Sequence, residues 1–334
     1  MKLWHKLSVS ALLSAIAAVA APHVALAQSV IKIDGSSTVF PIAEAVAEEF
    51  QISKRGKVRV TVGIAGTGGG FKRFCRGETD ISNASRPILK EEMEVCRAAG
   101  IKYLELPVAF DALTVVVNPQ NTWVKTLTVA DLKKMWEPGA QGRVSKWNQI
   151  RPEWPAQNLM LFGPGADSGT FDYFTEAVNG KAKASRGDFT ASEDDNVLVQ
   201  GVENNKNALG YFGYAYYIAH KDKMRAVEIE NGKGKAVGPS VEAVIDGSYQ
   251  PLSRPLFIYV RDTAAARPEV QEFIQFYLGK GAELVKEVGY VPLPPQAYKT
   301  AQQHFNDRKL GTVFGGVPEV GVTIENLLAR EGKL

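Results

Sequence analysis

The sequence predicts an α/β protein of two domains with helix starts rich in Ser, Thr and Gly, and three observations point there. Short β-rich runs alternate with longer amphipathic runs along the chain, the pattern of α/β layering. Some 307 residues remain after an N-terminal leader of 27, more than one core of about 100–200 residues holds. Four Ser/Thr/Gly clusters each stand before a helical run: Gly35-Ser36-Ser37-Thr38, Gly66-Thr67-Gly68-Gly69-Gly70, Ala84-Ser85-Arg86-Pro87 and Asp167-Ser168-Gly169-Thr170.

The elements follow in order. Residues 30–33 read as a strand feeding the first cluster. Residues 42–50 continue as a helix with Ile42, Ala43, Val46, Ala47 and Phe50 on one face. Residues 57–64 alternate as a second strand and run into the glycine cluster, read as a turn, with a helix over 71–75. A strand ends over 80–84, and the helix over 89–99 stops at Gly100. Residues 112–118 form a nearly continuous apolar strand of the kind buried in a sheet centre.

Beyond it the texture changes. Residues 119–155 carry Trp123, Trp136, Trp147 and Trp154 among Pro and Gly, with a helix expected over 129–136. Such a cluster serves core packing more often than a sugar platform. A strand over 159–162 leads into the fourth cluster and a helix over 171–178. Residues 181–195 read as a mobile, polar surface segment and 195–202 as a helix. The aromatic-glycine stretch 210–217 reads as packing close to the cleft. A strand over 256–260 and two helices, 268–278 and 282–288, complete the chain.

Lys2, His5 and Lys6, an apolar run over 7–19 and Ala25-Leu26-Ala27 form a secretory signal over residues 1–27. The apolar run is short for a membrane span, and no Cys follows the cleavage site to carry a lipid. The expected location is therefore outside the cytoplasm. The formal charge is +3 from 39 Lys+Arg and 36 Asp+Glu, and losing Lys2 and Lys6 leaves +1. No basic surface for nucleic acid is indicated. Two cysteines in an exported chain, Cys75 and Cys96, predict one disulfide that braces the helix after the glycine cluster against the helix after Arg86. A redox pair would want the C-x-x-C spacing, which is absent.

The four clusters carry the functional reading. A first helical turn leaves N–H groups without intrahelical partners and concentrates partial positive charge, so an anion is held there with little formal counter-charge. Ser, Thr and Gly are also ordinary caps and turn residues, so one cluster alone says little. The rival class is a secreted phosphatase or a serine hydrolase acting through Ser168. The mature chain has two histidines, His220 and His304, neither beside a Ser motif nor at metal-ligand spacing, so no catalytic residue, metal or cofactor is expected.

In order and spacing, Asp34-Gly35-Ser36-Ser37-Thr38-Val39-Phe40-Pro41, Gly66-Thr67-Gly68-Gly69-Gly70-Phe71, Asp80-Ile81-Ser82-Asn83-Ala84-Ser85-Arg86-Pro87 and Asp167-Ser168-Gly169-Thr170 resemble the phosphate-binding protein of the bacterial high-affinity phosphate ABC importer. The similarity is closest to the cyanobacterial-type branch of that PstS-like family, and it extends through Leu209-Gly210-Tyr211 and Gly289-Tyr290-Val291-Pro292-Leu293-Pro294. The resemblance implies the periplasmic-binding-protein, or Venus flytrap, architecture: lobe I over 28–113 plus 256–334, lobe II over 114–255, each a mixed sheet flanked by helices, two crossing strands, and phosphate enclosed between the lobes. It implies a periplasmic monomer that serves the permease subunits of an ABC transporter. Ser37, Thr38 and the N–H of Val39 match the first anion loop, Thr67 the hydroxyl at the glycine cluster, and Ser168, Gly169 and Thr170 the helix start on lobe II. The best-known branch has a carboxylate where Ser85 stands and an arginine where Pro164 stands. Arg86 and Asp167 are the expected compensation, with Asp167 accepting the phosphate proton that sulfate lacks and Arg86 offsetting its charge. Sulfate and molybdate are the alternative tetrahedral ligands.

Overall fold

A computed structural model describes residues 28–230, 232 and 234–333; the leader expected over 1–27 lies outside them. The chain opens with β1 (Ser29–Gly35), whose alternation buries Ile31 and Ile33. Helix α1 (Phe40–Ser53) buries the five residues read as one face, Ile42, Ala43, Val46, Ala47 and Phe50. Next come β2 (Val58–Val62), α2 (Gly66–Phe74), β3 (Ile81–Ala84), α3 (Lys90–Ala98) and β4 (Tyr103–Ala112). Strand β4 was not expected; all ten of its residues are buried, so it carries no alternation to read. The apolar run expected as one strand over 112–118 breaks at Leu113, where the chain leaves the first lobe.

The second lobe holds β5 (Thr114–Val117), β6 (Thr126–Thr128), α4 (Val129–Trp136), β7 (Met160–Pro164), α5 (Gly169–Asn179), β8 (Thr190–Ser192) and α6 (Asp195–Glu203). It continues through β9 (Ala208–Phe212), α7 (Tyr214–Ala219), β10 (Arg225–Ala226), β11 (Glu228–Glu230), β12 (Ala236–Val237) and α8 (Val241–Ile245). Helix α4 starts at Thr128, whose side chain accepts from the Asp131 N–H while Asp131 accepts from the Thr128 N–H, a capping box. The tryptophans pack: Trp136 meets Phe174 and Tyr211 edge-on, and Trp147 meets Trp123 and Trp154. The polar stretch over 181–195 is anchored, contrary to expectation. Arg186 is buried, donates to the carbonyls of Met135 and Val144, and pairs with Asp188, while β8 joins the sheet beside β7.

The chain then returns through β13 (Ser253–Arg261), α9 (Asp262–Ala265), α10 (Pro268–Glu287), β14 (Val291–Pro292), α11 (Pro295–Asn306) and α12 (Ile324–Glu331). The two helices expected over 268–288 are one. Gly281, between the two expected helices, lets α11 approach: a Cβ there would lie 3.0 Å from the Tyr298 ring.

Three mixed sheets result. The first lobe has the order β14-β4-β13-β3-β1-β2, with β1 parallel to β2 and β3, and β13 antiparallel to β3 and β4. The second lobe has β10-β5-β9-β7-β8 and a small sheet β12-β11-β6. Ala112 and Ser253 are register partners, so the two crossings between lobes lie side by side at the ends of β4 and β13. That geometry lets two rigid bodies hinge.

The disulfide joins Cys75, at the C-terminal end of α2, to Cys96 in α3. Its loop spans 21 residues, worth about 3 kcal/mol in the chain-entropy account. Cys75→Ala/Cys96→Ala should lose about that much in urea unfolding. Loss below about 0.5 kcal/mol would show that the brace adds nothing the packing does not already supply.

Candidate functional site

Gly35 ends β1 at φ 134°, and a Cβ there would sit 2.3 Å from the Asn83 carbonyl oxygen, so only glycine allows β1 to turn this close to β3. The turn delivers Ser37 and Thr38, both buried, to the start of α1, with Val39 as its N-cap and Pro41 in its first turn. The glycine cluster expected as a turn is itself the first half of α2. Glycine is a poor helix former, by about 1 kcal/mol each against Ala. Close approach explains its use. A Cβ on Gly70 would lie 2.6 Å from the Gly35 Cα, and one on Gly66 would lie 2.5 Å from the Asp167 carbonyl oxygen. Helix α2 is thus wedged between β1 and the loop before α5.

Thr67 stands in the first turn of α2, and its hydroxyl accepts from the Ser85 N–H at 3.1 Å and lies 3.2 Å from the Ser85 hydroxyl. From the other lobe, Ser168 caps α5 by accepting from the Thr170 N–H. Gly169 follows, so close that a Cβ would be 2.4 Å from the Thr67 Oγ1 and 2.7 Å from the Ser85 Oγ. Thr170 places its hydroxyl 2.8 Å from that of Thr38. Thr38 therefore meets Thr170, and Thr67 and Ser85 meet Gly169, across the lobes, with Ser37, Val39 and Ser168 as their chain neighbours at the starts of α1 and α5.

The two expected charges lie elsewhere. The Asp167 side chain is at the rim, 40% exposed, paired with Lys72 at 2.7 Å across the lobes; only its backbone carbonyl reaches inward, accepting from the Gly68 N–H. Arg86 is buried, but its guanidinium turns to Glu92 and Asp172, away from the hydroxyl set. Asp34 is also committed, accepting from the Gly35 N–H and pairing with Arg73.

The cation of the site is Arg254, at the start of β13 and 1% exposed. Its Nη2 donates to Thr170 Oγ1 at 2.8 Å and lies 3.4 Å from Thr38 Oγ1. Its Nη1 donates to the carbonyls of Ser85 and Gly169, one from each lobe, and Nε and Nη2 pair with Asp111 Oδ2. A hydroxyl that accepts from arginine keeps its own proton to donate. Thr38 and Thr170 share one hydrogen bond at 2.8 Å, so with Arg254 donating to this pair one of their two hydroxyl protons stays free to donate outward. Asp111, at 0% exposure, also accepts from the Tyr214 N–H; burial pushes its carboxyl up and Arg254 opposes the shift.

A second carboxylate faces the same group. Asp195 begins α6, is fully buried, and accepts from the Ser37 hydroxyl at 3.3 Å, while its Oδ2 has no hydrogen-bond partner. Burial pushes its carboxyl up to about 7, with Arg254 pulling down and Asp111 pushing up. Sequence reasoning missed all three of Asp111, Asp195 and Arg254. Among the described residues no group of His, Cys, Asp and Glu is arranged to hold a metal.

Known proteins place this geometry. The description of the PBP superfamily domain matches residues 20–280. Protein SphX of Synechococcus elongatus is 55% identical over 306 residues, covering 91% of this chain and 90% of its own. The chain belongs to the PBP superfamily. Phosphate-binding protein PstS of Staphylococcus saprophyticus is 39% identical over 83% of this chain and 84% of its own, which sets this PBP within the PstS-like group. Among solved structures, a possible phosphate binding protein from Planctomyces limnophilus is 51% identical with a TM-score of 0.62, covering 84% of this chain and 98% of that one. A substrate-binding protein of a putative phosphate ABC transporter from Clostridium perfringens, with bound phosphate, is 26% identical with a TM-score of 0.67, covering 80% and 100%. The two-lobed architecture expected for this PBP is the one these neighbours share.

Proposed function

We propose that this PBP captures inorganic phosphate between its lobes in the periplasm and delivers it, as a monomer, to the permease subunits of an ABC importer. The boundary expected at 255/256 moves to the start of β13, so the lobes run over 28–113 plus 253–334 and over 114–252, with residues 1–27 as the cleaved leader. One observation carries the reading: hydroxyls from both lobes, at three helix starts, gather around the buried Arg254. Here the hydroxyls bond one another across the lobes, Thr38 to Thr170, and an oxyanion entering between them would take over donors from both lobes at once, so binding favours closure. The phosphate-binding names of the PstS relative and of the Clostridium perfringens protein agree with it.

Binding without turnover is the better reading of the chemistry. The Ser168 hydroxyl caps α5, His220 is held by Glu203 at 2.8 Å, and His304 lies on α11 of the other lobe, so neither described histidine is placed as a base for the serine. Thr38→Ala and Thr170→Val each remove one donor, from opposite lobes. A hydrogen bond to a charged group contributes about 1.5–3 kcal/mol, so each should weaken phosphate about ten- to hundredfold in titration calorimetry. Unchanged affinity in both would reject the site. Failure of the unaltered protein to bind phosphate, or hydrolysis of a phosphomonoester by it, would reject the function.

A further inference from the structure

The resemblance led to Arg86 as an anion ligand, yet four of its five N–H donors are committed within the protein. Nη1 donates to Glu92 Oε2 at 2.8 Å and to the Pro87 carbonyl, Nη2 to Glu92 Oε1 at 2.7 Å, and Nε to Asp172 Oδ2 at 2.8 Å. Glu92 and Arg86 belong to the first lobe. Asp172 belongs to α5 of the second, two residues beyond Thr170. We propose that Arg86, held from behind by Glu92, is a positioning residue that clamps Asp172 and with it the start of α5 onto the first lobe, so that closure is secured by a protein-to-protein charge pair as well as by the anion. This rests on the phosphate reading only for its ligand.

The arrangement fits a clamp. Glu92 also accepts from the Leu89 N–H at the start of α3, so its carboxylate is fixed to the first lobe whether the lobes are open or closed. The parallel bonds from Glu92 fix the guanidinium plane and leave Nε aimed across the cleft. Asp172 is 2% exposed and its Oδ1 has no partner, so the closed state depends on the one bond from Arg86 to keep that carboxylate satisfied. Rotation of a helix is set by its first turn. Asp172, next to Thr170 and Gly169 in that turn, therefore decides where both meet Thr38, Thr67 and Ser85. The neighbouring Tyr173 hydroxyl lies 2.7 Å from the Ser253 carbonyl and 2.9 Å from that of Pro251 at the crossing, shares its one proton with them and accepts from the Gly321 N–H, tying the same helix to the hinge and the C-terminal segment.

The test compares Asp172→Asn, Arg86→Gln and the double variant in the full mature protein. Truncating one partner of a buried, hydrogen-bonded charge pair acts mainly on dissociation. Each single variant should release phosphate at least about tenfold faster in stopped flow, with association changed less than about twofold and the phosphate-to-sulfate ratio unchanged. The double variant should be no worse than the poorer single. Small-angle scattering without anion should show a larger radius of gyration for Asp172→Asn than for the unaltered protein. If Arg86→Gln weakens phosphate while Asp172→Asn does not, Arg86 touches the anion and the clamp is wrong; unchanged dissociation in both singles overturns it equally. Should the unaltered protein fail to bind phosphate, the functional reading falls, and the scattering comparison still decides the clamp.

Discussion

Arg254→Met is expected to abolish measurable phosphate binding and to destabilise the protein, and the two losses can be separated. Arg254 bridges the lobes through the carbonyls of Ser85 and Gly169 and orients the hydroxyls of Thr38 and Thr170. Removing it takes away the charge and the orientation of two donors, a loss of at least about a thousandfold in affinity if each donor is worth its usual amount. It also leaves Asp111 buried at 0% exposure without its cation. Breaking one side of such a pair costs about 3–5 kcal/mol. Arg254→Met/Asp111→Asn removes both charges and should recover most of the stability, since a buried pair replaced as a whole is often close to neutral. It should not recover binding. Urea unfolding and titration calorimetry on both variants measure the two effects. A double variant that regains phosphate affinity would mean that Arg254 is structural only.

Why the sequence revealed the hydroxyls and hid the charges has a physical answer. Ser37, Thr38, Thr67, Ser85 and Thr170 stand in local motifs, at strand-to-helix junctions whose capping and turn chemistry is written in neighbouring residues. Helices α1, α4 and α5 were legible for the same reason, through periodicity and caps. Asp111 and Arg254 are single charges in apolar runs, Phe110-Asp111-Ala112 and Ser253-Arg254-Pro255-Leu256, 143 positions apart. A charge inside a buried strand signals a partner, but nothing local says which. Their pairing is a property of β4 and β13 lying side by side. Strand β4 was itself missed because it shows no alternation and Glu105, Pro107 and Asp111 break the continuous apolar run that marks a buried strand. Arg86 and Asp167 were misplaced because proximity along the chain to a Ser motif was taken for proximity in space. Helix α5 turns Asp167 outward to Lys72 and brings Asp172 to Arg86 instead.

With Asp167 at the rim, discrimination against sulfate is expected to pass to Asp195. Phosphate keeps at least one P–OH near neutral pH, whereas sulfate offers acceptors only. Above about pH 7, where Asp195 is ionised, its unpartnered Oδ2 can accept that proton and the carboxylate repels sulfate. Asp195→Asn should therefore narrow the phosphate-to-sulfate ratio of dissociation constants at least about tenfold. Stability supplies a second readout. The carboxyl is pushed from 3.8 up to about 7 by burial, so the folded state holds a proton that the unfolded chain releases. Its contribution is fully present below about pH 4, declines as pH rises, and is gone above about pH 7, on the order of 4 kcal/mol in all. Asp195→Asn cannot ionise, so the anion-free variant should lose less stability than the unaltered protein between those limits. Unfolding midpoints in urea at pH 4.5, 6 and 7.5 measure the difference. Parallel pH profiles together with an unchanged sulfate ratio would remove Asp195 from the site and leave Asp111 as the carboxylate that meets the anion.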